Sequence, residues 1–132
     1  MLCDIVLGSE DCSFQDSAHF RGGMVPGDGV NVVMTLLLGM NRGRYFLMTG
    51  QTLDAAEAHR LGLVAEVLAR DKLLPRAWQL AEDLTCGPTL LLRYTRLLFT
   101  EYLRRQMHDL LGYGLAMESL ALFEKPEAPP GR

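Results

Sequence analysis

"MTGQTLDAAEAHRLGLVAEVL" (Met48–Leu68) changes its character twice. Gly50 closes an apolar helical stretch. Thr52 and Asp54 then stand where a helix N-cap belongs, Ala55 to Ala58 supply good helix formers, and Gly62 stops the run. "LVAEVL" follows at once, short and partly β-branched, and it predicts a strand. Helix, glycine stop and strand in such close order point to an α/β arrangement.

Reading outward from that block gives the remaining elements. Towards the N-terminus, Val30–Leu38 predicts an apolar helix that Asp28 or Gly29 could cap. Gly39 and Asn41 break it, and Arg42–Met48 predicts a second helix. "MLCDIVLG" is apolar almost from its first residue, so Leu2–Leu7 reads as a buried strand. Too few later strands exist to surround it, which suggests that an N-terminal part is absent. Ser13–Asp16 predicts a second short strand. Towards the C-terminus, Arg70–Leu84 has helical spacing, with Pro75 tolerable only near the first turn. "CGP" (Cys86–Pro88) breaks the chain. Thr89–Phe123 predicts an almost continuous helix, bent near Gly112–Gly114. The tail "KPEAPPGR" is proline-rich and is expected to be disordered.

The bulk numbers exclude several classes. A length of 132 residues favours one domain. A formal net charge of −3 gives no global attraction to nucleic acid. The longest uncharged apolar stretch, Val30–Met40, is far shorter than the ~20 residues that a bilayer core requires, so no membrane partner is expected. The N-terminus lacks the basic segment of a signal peptide. Cys3, Cys12 and Cys86 are far apart and odd in number, which reads as reduced thiols in a cytoplasm. No metal-ligand spacing, dinucleotide fingerprint, phosphate loop or serine elbow is present.

Two features could carry chemistry. In "AHFRGGMVPGDGV" (Ala18–Val30), one of only three histidines stands beside a bend of glycines and a proline. Histidine titrates near neutrality and is the usual proton carrier in catalysis. Asp28, across the turn, is placed to fix its tautomer and stabilise the imidazolium if the loop folds back. The alternative is a surface His19 beside a helix-capping Asp28. The second feature is Glu118, which shares a heptad-like stripe with Leu111, Leu115 and Leu122. A carboxylate on an apolar stripe requires a partner, a raised pKa, a function or an exposed stretch of that stripe. Arg93, Arg96, Arg104 and Arg105 form a basic helix face that reads as a solvated surface or an oligomer contact. His59 and His108 lie on amphipathic helices and are expected to be partly exposed.

Together, "CDIVLGSEDCSFQD", "VPGDG" and "LLGMNRGRYFLMTGQTLDAAEAHRLGLVAEVL" resemble the C-terminal half of the crotonase (enoyl-CoA hydratase/isomerase) superfamily. The resemblance covers nearly the whole chain up to the tail. It implies an α/β fold: residues 1–68 as the C-terminal part of the ββα spiral core, residues 69–124 as the helical region that builds trimers or hexamers, and residues 125–132 as a tail. Hydratases of the family carry a catalytic glutamate on the segment leading to the proline–glycine turn. Here that slot holds His19, a departure from hydratase chemistry. "HF…VPGDG" and "NRGRYF.MTG" resemble a narrower branch, 6-oxocamphor hydrolase and related β-diketone hydrolases.

That branch cleaves a carbon–carbon bond between two carbonyls by retro-Claisen water attack, without a cofactor, metal or coenzyme A. The resemblance implies that His19 activates water, that Asp28 orients and charge-balances the imidazole, and that Glu118 joins them as the late glutamate of "GLA.E". The expected partner is a small (bi)cyclic 1,3-diketone. The family's oxyanion donors, and a further substrate-contacting histidine of the branch, lie upstream of the first strand, so this chain alone is expected to show at most a trace of activity. The competing expectations are a generic enoyl-CoA hydratase or isomerase, and a non-catalytic truncated oligomerisation module.

Overall fold

The computed structural model describes residues 1–123. The tail expected over 125–132 lies outside the described residues. The elements, in order, are β1 (Leu7–Ser9), β2 (Ser13–Phe14), a 3-10 turn (Phe20–Gly22), α1 (Val30–Leu38), α2 (Met40–Thr49), β3 (Leu53–Asp54), α3 (Ala55–Arg60), β4 (Glu66–Leu68), α4 (Arg70–Thr85) and α5 (Thr89–Ala121). Two small ladders hold the α/β part. β1 pairs in parallel with β4, Gly8 opposite Val67. β2 pairs antiparallel with β3, Phe14 opposite Leu53.

The deciding stretch folds as its residue types dictate. Asp54 is extended and its carboxylate accepts the Glu57 amide at 2.8 Å, which starts α3. Gly62, with φ +81°, returns its amide to the His59 carbonyl and ends it. Leu63 and Val64 then enter the core at 3% and 2% exposure, beside Leu53, Ala58, Met34, Phe46 and Leu47. Glu57 accepts from Arg60 on its own helix and from Arg42 on α2, and this pair of guanidiniums holds its carboxyl down to about 2. The cluster cross-braces α2 and α3.

The expected Leu2–Leu7 strand is shorter and later than the apolar pattern suggests. Only Leu7–Ser9 has a ladder partner. Val6 adds one bond, its carbonyl accepting from the Ala65 amide at 2.7 Å. Leu2 and Ile5 are exposed. A strand needs a neighbour along its hydrogen-bonding edge, and β4, which pairs in parallel, begins only at Glu66 opposite Leu7. The second strand likewise stops at Phe14, because β3 opposite it is two residues long. α4 runs through Pro75, its sixth residue. The ring nitrogen has no hydrogen to donate there, so the Asp71 carbonyl loses its usual partner.

α5 is one continuous helix through Gly112 and Gly114, not a bent pair. Gly114 is the buried residue of that helix, and it lies against Gly27 backbone to backbone. A Cβ on either glycine would collide with the carbonyl of the other. Met107 and Leu111 pack at Gly29, and Glu118 at Gly27. The stripe that meets the loop is therefore Met107, Leu111, Gly114 and Glu118, with heptad spacing. Leu115 and Leu122, expected on it, are exposed at 45% and 67%. The apolar residues of α5 extend well beyond the stripe that meets the loop. Leu90, Leu91, Tyr94, Leu98 and Phe99 are also exposed.

Gly114→Ala should therefore destabilise the chain by roughly 1–3 kcal/mol, because neither backbone can yield without moving a whole segment. Gly112→Ala is the control. Nothing lies within 4 Å of a Cβ there, and replacing a mid-helix glycine should add about 1 kcal/mol. Urea unfolding of the two variants beside the parent checks both signs.

Candidate functional site

The loop between β2 and α1 brings three side chains together. His19 begins the 3-10 turn, and its carbonyl accepts the Met24 amide at 3.0 Å, which closes the bend. The segment is fastened to the C-terminus of α2. Gln15 Nε2 donates to the Gly50 carbonyl at 2.8 Å, and Arg21 Nη1 donates to the Thr49 carbonyl at 3.3 Å. Gly50 has the left-handed conformation of a helix cap, and the Arg21 stem and the Asp16 carbonyl occupy the space where its Cβ would be.

The His19 side chain is 12% exposed. Its Nδ1 meets both carboxylate oxygens of Asp16 at 2.9 Å. Asp16 is 8% exposed and also accepts the His19 backbone amide at 3.2 Å. On the other side of the ring, Nε2 lies 3.4 Å from Asp28 Oδ2. Asp28 is half exposed, and its Oδ1 accepts the Val30 amide at 3.1 Å, so the first turn of α1 orients it. Gly29, with φ +103°, serves as the N-cap residue. Glu118 packs against Gly27 from α5 across the Gly27–Gly114 contact, and its charge acts on the same ring. Its Oε2 is buried and has no hydrogen-bond partner.

Of the residues singled out from the sequence, His19 and Asp28 face one another, and Glu118 lies on the far side of Gly27 with no bond to either. The carboxylate at Nδ1 is Asp16, which sequence reasoning took for the end of a strand. Its signal was an aspartate three residues before a histidine, the spacing of a local side-chain-to-backbone turn. His59 and His108 are exposed. Arg96 pairs with Asp4 at 2.9 Å, and Arg104 and Arg105 with Glu101 at 2.8 Å, on the surface. Among the described residues no group of three or more His, Cys, Asp or Glu side chains could hold a metal ion, and no helix is long and apolar enough to cross a membrane.

Burial pulls the His19 pKa down. The Asp16 hydrogen bond and the charges of Asp16, Asp28 and Glu118 outweigh it, and the net shift is upward from 6.5. A raised folded-state pKa means that protonated His19 stabilises the fold. That contribution is complete below the unfolded value of 6.5 and is lost as pH rises through the higher folded value. The stability difference between the parent chain and His19→Gln should therefore be larger at pH 5.5 than at pH 8.5. Urea unfolding at the two pH values measures it.

Residues 1–127 match the family model described as enoyl-CoA hydratase/isomerase. A probable enoyl-CoA hydratase of Mycobacterium leprae is 34% identical over 85 residues, covering 64% of this chain and 33% of that protein. Among solved structures, a β-diketone hydrolase from the cyanobacterium Anabaena, bound to (S)-3-oxocyclohexyl acetic acid, is 49% identical with a TM-score of 0.86. The match covers 89% of this chain and 47% of that one. An enoyl-CoA hydratase from Mycobacterium tuberculosis is 29% identical with a TM-score of 0.81, covering 91% and 54%. The chain spans about half the length of these solved relatives and about a third of the curated one. It has part of the crotonase α/β fold, and it belongs to the enoyl-CoA hydratase/isomerase family.

Proposed function

We propose that the chain carries the proton-transfer half of a hydrolase that cleaves the carbon–carbon bond between the two carbonyls of a cyclic or bicyclic 1,3-diketone. The observation that carries this reading is the imidazole of His19, set between carboxylates where hydratases of the family use a glutamate. The 49% identity to a β-diketone hydrolase supports it.

The chemistry follows from the charges. With its proton on Nδ1, neutral His19 presents a lone pair at Nε2, 3.4 Å from Asp28 Oδ2. Two acceptors facing one small space can hold a water by both of its O–H groups. His19 removes one proton as the water oxygen attacks a ketone carbonyl. Asp28 and Glu118 balance the imidazolium that results. The tetrahedral oxyanion collapses and the bond to the central carbon breaks. One fragment leaves as a carboxylic acid and the other as an enolate, and His19 returns its proton to the enolate carbon. The sum is one diketone plus one water giving one keto acid when the diketone is cyclic.

Positioned general-base transfer contributes typically 10²–10⁴-fold. Oxyanion donors contribute roughly 3–4 kcal/mol each, and in this family they belong to segments that precede β1. The chain alone should therefore give at most trace turnover. Grafted in place of the matching half of the Anabaena hydrolase, it should restore diketone cleavage, with one atom of solvent ¹⁸O in the new carboxylate. His19→Ala in that chimera should lower kcat by about 10²–10⁴-fold. A folded chimera that hydrates an enoyl-CoA and leaves diketones intact would favour the second reading, an acyl-CoA hydratase.

A further inference from the structure

The two carboxylates that bracket His19 are not equivalent, and their differences divide the work between them. Asp28 is half exposed, approaches Nε2 at 3.4 Å with one oxygen, and spends its other oxygen on the Val30 amide. A distance of 3.4 Å is long for a hydrogen bond to an imidazole nitrogen. Asp16 is buried, places both oxygens 2.9 Å from Nδ1, and holds the His19 amide as well. It is the buried charged residue of the described core. The Asp16 backbone carbonyl sits where a side chain at position 50 would lie, and the neighbouring Gln15 ties the same segment to α2. Asp16 is thus fixed by the backbone on both sides of its own side chain.

We propose that Asp16, and not Asp28, is the positioning residue of the site: it holds the neutral His19 proton on Nδ1 and fixes the ring so that Nε2 faces Asp28. An ionised carboxylate only accepts, so the ring nitrogen between two Asp16 oxygens must be the one that bears hydrogen. The partner of one imidazole nitrogen sets the state of the other. Asp28 is then left to the reacting side of the ring. This deepens the hydrolase reading and rests on it for its chemical meaning, while the tautomer itself can be measured without any substrate.

The chain has three histidines, so ¹⁵N-edited imidazole spectra of the intact 132-residue protein can be assigned by removing each in turn. At high pH, His19 should carry its proton on Nδ1, and its titration midpoint should lie above the ordinary imidazole value of 6.5. Asp16→Asn keeps an oxygen that can accept the His19 amide but removes the charge. It should lower the His19 midpoint and allow the proton to populate Nε2. Asp28→Asn should also lower the midpoint, since the Asp28 carboxylate lies 3.4 Å from Nε2, yet leave the proton on Nδ1.

In the chimera with the Anabaena hydrolase, Asp16→Asn should move the ascending, acid-side limb of the pH–rate profile, which reports the free His19 base, to lower pH. It should also reduce kcat by up to about 10⁴-fold, the loss that a wrong tautomer causes in a serine protease triad. A parent protein whose neutral His19 bears hydrogen on Nε2 would overturn the proposal. So would an Asp16→Asn protein with unchanged tautomer and midpoint. Should that variant not fold, the parent spectrum alone decides. If the spectra behave as stated while the chimera leaves diketones untouched, Asp16 keeps its role and the hydrolase reading falls.

Discussion

The contact between Gly27 and Gly114 is the constraint on which the site depends. Two peptide backbones lie against one another, one in the loop before α1 and one in the middle of α5. No side chain separates them. This approach puts Glu118, one turn further along α5, against Gly27, where its charge acts on the imidazole. It also lets Met107 and Leu111 settle over Gly29. Without it, α5 would stand off by the thickness of a side chain, and His19 would have two carboxylate neighbours instead of three.

Around that contact the charges are arranged with a clear sign. His19 is mostly buried, which by itself disfavours the imidazolium, and the surrounding acids reverse the balance. A site with this sign stabilises positive charge on the ring at the moment a proton is taken up. The cost is that the free base is scarcer at neutral pH. The buried, unpartnered Oε2 of half-buried Glu118 belongs to the same arrangement: an oxygen shielded from water and without a donor adds its charge to the field at the ring.

Much of this was legible in the residues. Asp54, Glu57 and Gly62 specify α3 by local rules, and the helix appears where those rules put it, because caps act over three or four residues. The residue types and spacing of His19, Asp28 and Glu118 drew notice before the resemblance gave them roles, and the loop brings the first two together. Asp16 was missed because its meaning is a bond formed only after the loop turns. As a letter in the sequence it reads equally well as a strand terminus. Leu2–Leu7 failed for the opposite reason. Its pattern is that of a buried strand, but a strand is defined by its neighbour, and of these residues β4 pairs only Leu7, its other partners being Gly8 and Ser9. The apolar spacing of α5 likewise fixes a helix without saying which face meets the loop. Gly114 decides that, and a glycine within a helical pattern is easily read as a break.

Gly50 has a consequence beyond ending α2. Its missing side chain leaves a notch at the helix terminus, and the Arg21 stem and the Asp16 carbonyl fill it. The imidazole is therefore referenced to a rigid post and not to the pliable loop that bears it. Errors in that post would propagate as a tilt of the ring. A change at a residue remote from any reactant would then be felt as poor aim, with the reactive groups all still in attendance.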